Sequence, residues 1–508
     1  MGATRKWLLG AVLGLVMVLV LMPSAAFAGE GDVEINETNF PDSVFRTYIE
    51  KNCDKDGDKA LGESEIADAT NFYFYSWTGK IGSLKGIEHF TALESLSFSG
   101  HNVTEVDLSH NKALKTLDCS GNPLTSLDVS GNTALESLTC GGTKMTSLDV
   151  SGNTSLTRLS CQGTYSAAGM LTSLKVNKTI TNIECQKNQL TSLDLSGCTE
   201  LTSLSCQDNQ LTTLDMTECK NIQTIWCSNN QLTDLKLDGI TTLQLVSCGN
   251  NKLETLDVSA NKKLSILGCE SNGLKSLNVN GCDNLTILQC EKNALTELDF
   301  SNNSKLETIW CFSNQLTSLD LSKIGDVDDI MIDYDTDDFG KKVDAFNVYA
   351  VTVPSGTRTL DLTKLPGNFD VTKASNWKGG SVDGNILTVD KDAEQVSYTY
   401  DCGKGQSATF VLTVKEHDHT FEWVTDKAAT ATETGLKHEE CTVCGEKRSE
   451  NTVIPATGKN DGAKAEAKAE NAANTGDESN IALWIALLLA SGAAAGAVAV
   501  RKRKLSVK

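Results

Sequence analysis

Leu201-Thr-Ser-Leu204-Ser-Cys206-Gln-Asp-Asn209-Gln-Leu211-Thr-Thr-Leu214 decides the fold, because the chain repeats it with small changes. The cysteine of this stretch stands in a column: Cys119, Cys140, Cys161, Cys185, Cys206, Cys227, Cys248, Cys269, Cys290 and Cys311. Each interval is 21 residues, except the 24 between Cys161 and Cys185, and Phe98 holds the same place one period earlier. A fixed period in the twenties means that each turn stacks only on its neighbours, so the chain is a solenoid. Side chains alternate along the short strand of each turn. Leu204 and Cys206 therefore point into the stack, and Ser203, Ser205 and Gln207 point out.

An asparagine three places after the cysteine forms a second column: Asn122, then Asn188, Asn209, Asn230, Asn251, Asn272, Asn293 and Asn314. The chain turns a corner there, and an amide side chain can pair with the backbone groups left over. A further corner column reads Asn111, Asn132, Asn153, Asn177, Cys198, Cys219, Ile240, Asn261, Cys282 and Asn303. The pattern strongly resembles the leucine-rich repeat, with cysteine where the family usually places a third leucine. Eleven turns run over 92–323. The resemblance implies a parallel-strand solenoid with a concave binding face. In-register strands aim their Cβ atoms in parallel, which is poor disulfide geometry, so the ladder is expected as free thiols packed in the core. Residues 163–169 break the period once and are expected to bulge as a loop.

At 508 residues the chain suits a mosaic of modules. Lysine plus arginine total 45 against 66 acidic residues, a formal net charge of −21. That argues against nucleic-acid binding, which needs a basic patch. Arg5 and Lys6 precede an apolar run from Trp7 to Met22, and Ala26-Phe27-Ala28 follows, so residues 1–28 read as a signal peptide. Residues 481–500 are uncharged and long enough to span a bilayer, and the basic tail 501–508 would stay on the cytoplasmic side. Thr475 and Gly476 before this span resemble the sorting signal that sortases cleave when they join proteins to peptidoglycan. Ala472 and Ala473 replace that family's Leu-Pro pair. Residues 459–480 form a solvated linker. The expected location is the cell surface, anchored to wall or membrane.

Within the N-terminal segment 29–91, Asp54, Asp56, Asp58 and Glu65 take positions 1, 3, 5 and 12 of a loop that resembles an EF-hand. The resemblance implies calcium. Lys59 stands at position 6, where the family has glycine, at a cost of about 1 kcal/mol for positive φ. After the period stops, 324–416 carries short β-type runs with glycine turns and reads as a small immunoglobulin-like β-sandwich. Residues 417–458 contain Cys441-Thr-Val-Cys444, half of a zinc set that His417, His419 or His438 could complete; the alternative is a disulfide within the pair or two free thiols. This segment resembles Cys/His modules that precede the anchors of bacterial surface proteins.

There is no H-E-x-x-H, G-x-S-x-G or phosphate-cradling glycine loop, and His89, His101 and His110 read as surface or cap residues. No enzyme is expected. The outward strand positions of the first turns are small and polar. From the seventh turn Trp226, Leu245, Ile266, Ile287, Trp310 and Phe312 join them, and an exposed apolar stripe marks an interaction site. The expected function is an adhesin-like surface protein that presents this face to a protein or glycan. The alternative is a stalk-like wall component with no defined ligand.

Overall fold

The structure, a computed structural model, describes residues 31–457 apart from 76–78, 165–168, 327, 337–341, 444 and 449–451. The expected signal peptide, Cys444, Thr475, Gly476, the apolar span and the basic tail lie outside the described residues. Among the described residues no helix is long and apolar enough to cross a membrane. Two compact units divide the chain: one comprises residues up to Thr420 together with Cys441–Glu446, the other Phe421–Glu440 with Lys447 onward.

The solenoid is one parallel sheet of thirteen three-residue strands, from Asn71–Tyr73 to Asp329–Met331. It runs one strand past each end of the leucine–cysteine pattern, and the last strand keeps the 21-residue spacing. Phe72 and Phe74 at the first edge, and Ile330 and Ile332 at the last, occupy the columns held elsewhere by leucine and cysteine. Each inner turn seals itself against its neighbours. Leu201, Leu204, Cys206, Leu211, Leu214, Met216 and Cys219 are all within 1% of full burial. Each such leucine contributes roughly 1.5–3 kcal/mol before chain entropy is subtracted.

The two corner columns do different work. Asn209 Nδ2 donates to Cys185 O (3.0 Å), Cys206 O (3.0 Å) and Gln207 O (3.3 Å), and its Oδ1 accepts Leu190 N–H (3.0 Å). Asn230, Asn251, Asn272, Asn293 and Asn314 repeat this scheme. At the other corner, Asn153 Nδ2 donates to Val129 O (2.8 Å) and Asn132 O (3.0 Å), while its Oδ1 has no partner. The same oxygen is unpaired in Asn111, Asn132, Asn177 and Asn303. Only a donor is needed at this corner, so a thiol can serve: Cys282 Sγ–H donates to Val258 O at 3.1 Å. This explains why cysteine enters the second column and never the regular run of the first.

The residue before each corner asparagine of the first column is left-handed. Gly100, Gly121 and Gly142 hold that position early; Lys187, Asp208, Asn229, Asn250, Ser271, Lys292 and Ser313 hold it later with φ between 53 and 59°. His101 stands in the asparagine column, so of the two readings, surface or cap residue, the surface one fails. It is buried, and its Nδ1 accepts Ile81 N–H at 3.0 Å. Desolvation lowers its pKa. The 163–169 insertion keeps the ladder in register, since Gly163 N donates to Gln186 O and Gly169 N to Lys187 O.

The first edge is closed by helix α1 (Ser43–Asn52), capped by the Asp42 carboxylate and burying Phe45 and Ile49, and by helix α2 (Glu63–Asp68). At the other edge stands the β-sandwich. Its four-stranded sheet orders Asn347–Pro354, Gln406–His417, Gln395–Gly403 and Ala374–Lys378. Its three-stranded sheet orders Thr359–Asp361, Ile386–Val389 and Gly380–Asp383. The joint to the last turn is hydrogen-bonded: Tyr398 Oη donates to Thr317 O (2.6 Å), Ser318 Oγ to Gly367 O (2.7 Å) and Leu321 N to Cys402 O (2.8 Å).

Candidate functional site

The concave face is built from the outward residues of the parallel strands. One outward column runs Ser205, Trp226, Ser247, Gly268, Gln289, Trp310, Met331, and the neighbouring column runs Leu245, Ile266, Ile287, Thr308. Trp226 lies between Ser205 and Ser247, too small to cover it, and is 42% exposed. Leu245, Ile266 and Ile287 are half-buried beside it. Trp310 differs from Trp226. It lies between Gln289 and Met331, is half-buried, and donates Nε1–H to Asp329 Oδ2 at 2.9 Å. That bond ties its ring to the last strand. Phe312 is half-buried as well.

Two acidic residues edge the stripe. Glu270 lies over Gly249 and Gly268, where a Cβ on Gly249 would collide with its carboxylate. Glu291 is 92% buried, and desolvation first, then the charge of Glu270, raises its carboxyl pKa. The apolar strip is thus edged on one side by two carboxyl groups, Glu270 and the buried Glu291. At the far end of the same column Tyr73, paired in register with Ser97, is 46% exposed. Sequence reasoning passed over it because its strand precedes the first recognisable period.

The thiol ladder faces away from this surface. All the described cysteines are buried and none is in a disulfide, and burial raises the thiol pKa throughout the column, to about 12 for Cys185. A nucleophile needs an accessible thiolate, and none of these residues offers one.

Two ligand clusters lie outside the concave face. Asp54, Asp56 and Asp58 bring carboxylate oxygens within 4.8 Å of one another. Each also accepts loop amides, Asp54 from Gly57 N (2.7 Å) and Lys59 N (3.1 Å). Lys59 has φ 67°, the conformation that the glycine position demands. Glu65 does not join the three. Its oxygens accept Lys55 N–H (2.6 Å) and Gly62 N–H (2.9 Å). In the second cluster His417, His419 and Cys441 bring ligand atoms within the same 4.8 Å. His438 takes another role: its Nδ1 lies 2.7 Å from Asp426 and its Nε2 2.8 Å from Glu440, so both ring nitrogens are engaged.

A family model described as Leucine Rich repeats (2 copies) matches residues 199–241. Among solved structures, the functional domain of InlJ from Listeria monocytogenes, described as including a cysteine ladder, aligns with a TM-score of 0.51 and 24% identity. The alignment covers 78% of this chain and all of that one. The solenoid has the leucine-rich-repeat fold. An internalin, InlF, of the same species aligns with a TM-score of 0.45 at 21% identity, over 59% of this chain and 97% of that one. InlP of L. monocytogenes aligns at 0.40 and 16%, over 77% and 100%. No curated protein matches the chain. Solenoids of this fold are typically protein-binding scaffolds rather than enzymes.

Proposed function

We propose that this chain is an adhesin-like protein of the bacterial cell surface that binds a protein partner through the concave face of its leucine-rich repeat. The observation that carries the reading is Trp226, an indole left 42% exposed between two serines in the middle of a parallel sheet. A stalk with no ligand gains nothing from that exposure, whereas a tryptophan beside aliphatic neighbours is the usual anchor of an interface. The stripe of Leu245, Ile266 and Ile287, with Glu270 at its edge, favours a partner with an apolar anchor and a basic group beside it.

Export and anchoring belong to the same proposal. They rest on the sequence of residues 1–28 and 472–508, which supports a secreted chain held by sortase linkage or by its own apolar span. The loop of Asp54, Asp56 and Asp58 is read as a calcium-binding part of the cap, with Glu65 released from Lys55 N to complete the shell.

A photo-crosslinking residue placed at Ser205, beside Trp226, should capture the partner from host-cell surface proteins. The same residue placed at Thr213, on an exposed position of the short strand Thr213–Asp215 outside the concave sheet, should not. Equal capture from both positions would count against the concave face. Capture of glycan alone would replace the protein partner by a carbohydrate.

A further inference from the structure

The strand Gln406–His417 ends the sandwich, and two residues beyond it His419 lies against the first histidine, the ring centroids 5.1 Å apart. The turn Cys441–Glu446 returns to this point. Thr442 N–H bonds Thr420 O (3.0 Å), Gly445 N–H bonds Cys441 O (2.9 Å) and Cys441 N–H bonds Glu446 O (2.8 Å). Gly445 closes the turn with φ 69°. All these residues lie in one compact unit. The backbone thus fixes a thiol, 2% exposed, against two imidazoles.

Two measurements go beyond proximity. His417 Nε2 stands 3.5 Å from Cys441 Sγ. A tetrahedral zinc with Zn–S about 2.3 Å and Zn–N about 2.0–2.1 Å separates its sulfur and nitrogen ligands by about 3.5 Å. Bringing these two atoms onto one ion therefore needs no change in their spacing. The other ring nitrogen of His417, Nδ1, lies 3.0 Å from Val353 O. A carbonyl accepts only, so it fixes the proton on Nδ1 and leaves the Nε2 lone pair facing the sulfur. Ligating histidines are held this way by outer hydrogen bonds. His419 has its own orienting group, the Glu446 carboxylate 3.2 Å from its Nε2.

We propose that His417, His419 and Cys441 form a zinc site at the end of the β-sandwich. Imidazole and thiolate together select zinc over the hard cations that carboxylates prefer. Loading costs the thiol its proton, which leaves to solvent as the thiolate binds. The ion pins the Cys441–Glu446 turn to the terminal strand of the sandwich, at the point where the chain continues toward its anchor. His438 is not a ligand, because Asp426 and Glu440 occupy both its nitrogens.

The test uses the full-length protein, reduced, stripped with chelator, reloaded with zinc or cobalt alone and checked for native circular dichroism. One zinc per chain is expected, falling to none in the H417Q/H419Q double variant and unchanged in H438Q. Cobalt should give a thiolate charge-transfer band that C441S abolishes. Should C441S fail to fold, the double variant and the wild-type stoichiometry still decide. No zinc in the natively folded wild type, which would leave a metal-free thiol–imidazole hydrogen bond, overturns the site, and so does zinc retained by the double variant.

Discussion

The inward and outward positions of the same strands obey opposite rules. Leu204 and Cys206 face copies of themselves one turn away, and so does Asn209 at the corner, whose side chain bridges the backbone of its own turn and the preceding one. A change there is felt by the turns above and below, and the columns hold nearly constant from Cys119 to Cys311. The outward column passes from Asp118 and Thr139 to Trp226 and Trp310 within the same sheet, since no neighbouring turn requires a particular side chain. What stays fixed builds the scaffold, and what varies is available for recognition.

The largest expected effect breaks the constant side. Asn209→Ala removes three donated bonds and leaves Leu190 N–H without its acceptor inside the stack. A loss of about 3–5 kcal/mol is expected in urea unfolding, on the order of several unpaired buried groups. A loss below about 1 kcal/mol would mean that the corner is not a structural bridge.

Asn153→Cys sharpens the comparison within the scaffold. That corner uses only the donor of its asparagine, and Cys198, Cys219 and Cys282 already fill equivalent places. The expected cost is about 1 kcal/mol, well below that of Asn209→Cys in the same assay. Equal costs would erase the distinction between the two corners.

A smaller effect lies in the C-terminal unit. Hydrogen bonds donated by its ring to the carboxylates of Asp426, first, and Glu440 raise the pKa of His438 above its ordinary value. The folded state therefore favours the protonated ring. Its contribution is complete below about pH 6.5, the unfolded value, and is lost as pH rises through the raised folded value. Thermal melts across that window should show the unit weakening with rising pH, and His438→Gln should flatten the dependence. A dependence of opposite sign would contradict the assignment.

The period carried the solenoid into view because a cysteine, an uncommon residue, marks every turn. The edge strands were not legible. Phe72 with Phe74, and Ile330 with Ile332, fill the core columns without the leucine–cysteine signature, and Tyr73 was hidden with the first of them. The left-handed column left a trace in Gly100, Gly121 and Gly142, spaced by 21, but later turns use lysine, aspartate, asparagine and serine there, so composition obscures a backbone requirement. At the ligand clusters, spacing named the residues without choosing among them. Glu65 turns to loop amides, and His438 pairs with carboxylates twelve and two residues away, contacts that no motif encodes.

The separation of scaffold from recognition is tested most directly by one paired measurement: partner affinity and unfolding free energy for Trp226→Ala and Thr116→Ala, both at outward strand positions. Truncating an interface tryptophan costs roughly 2 kcal/mol or more, so Trp226→Ala should weaken binding about thirtyfold with the unfolding curve unchanged. Thr116→Ala, on the polar N-terminal half, should alter neither. Unchanged affinity in both variants, or a solenoid that unfolds on loss of the Trp226 indole, would contradict the account.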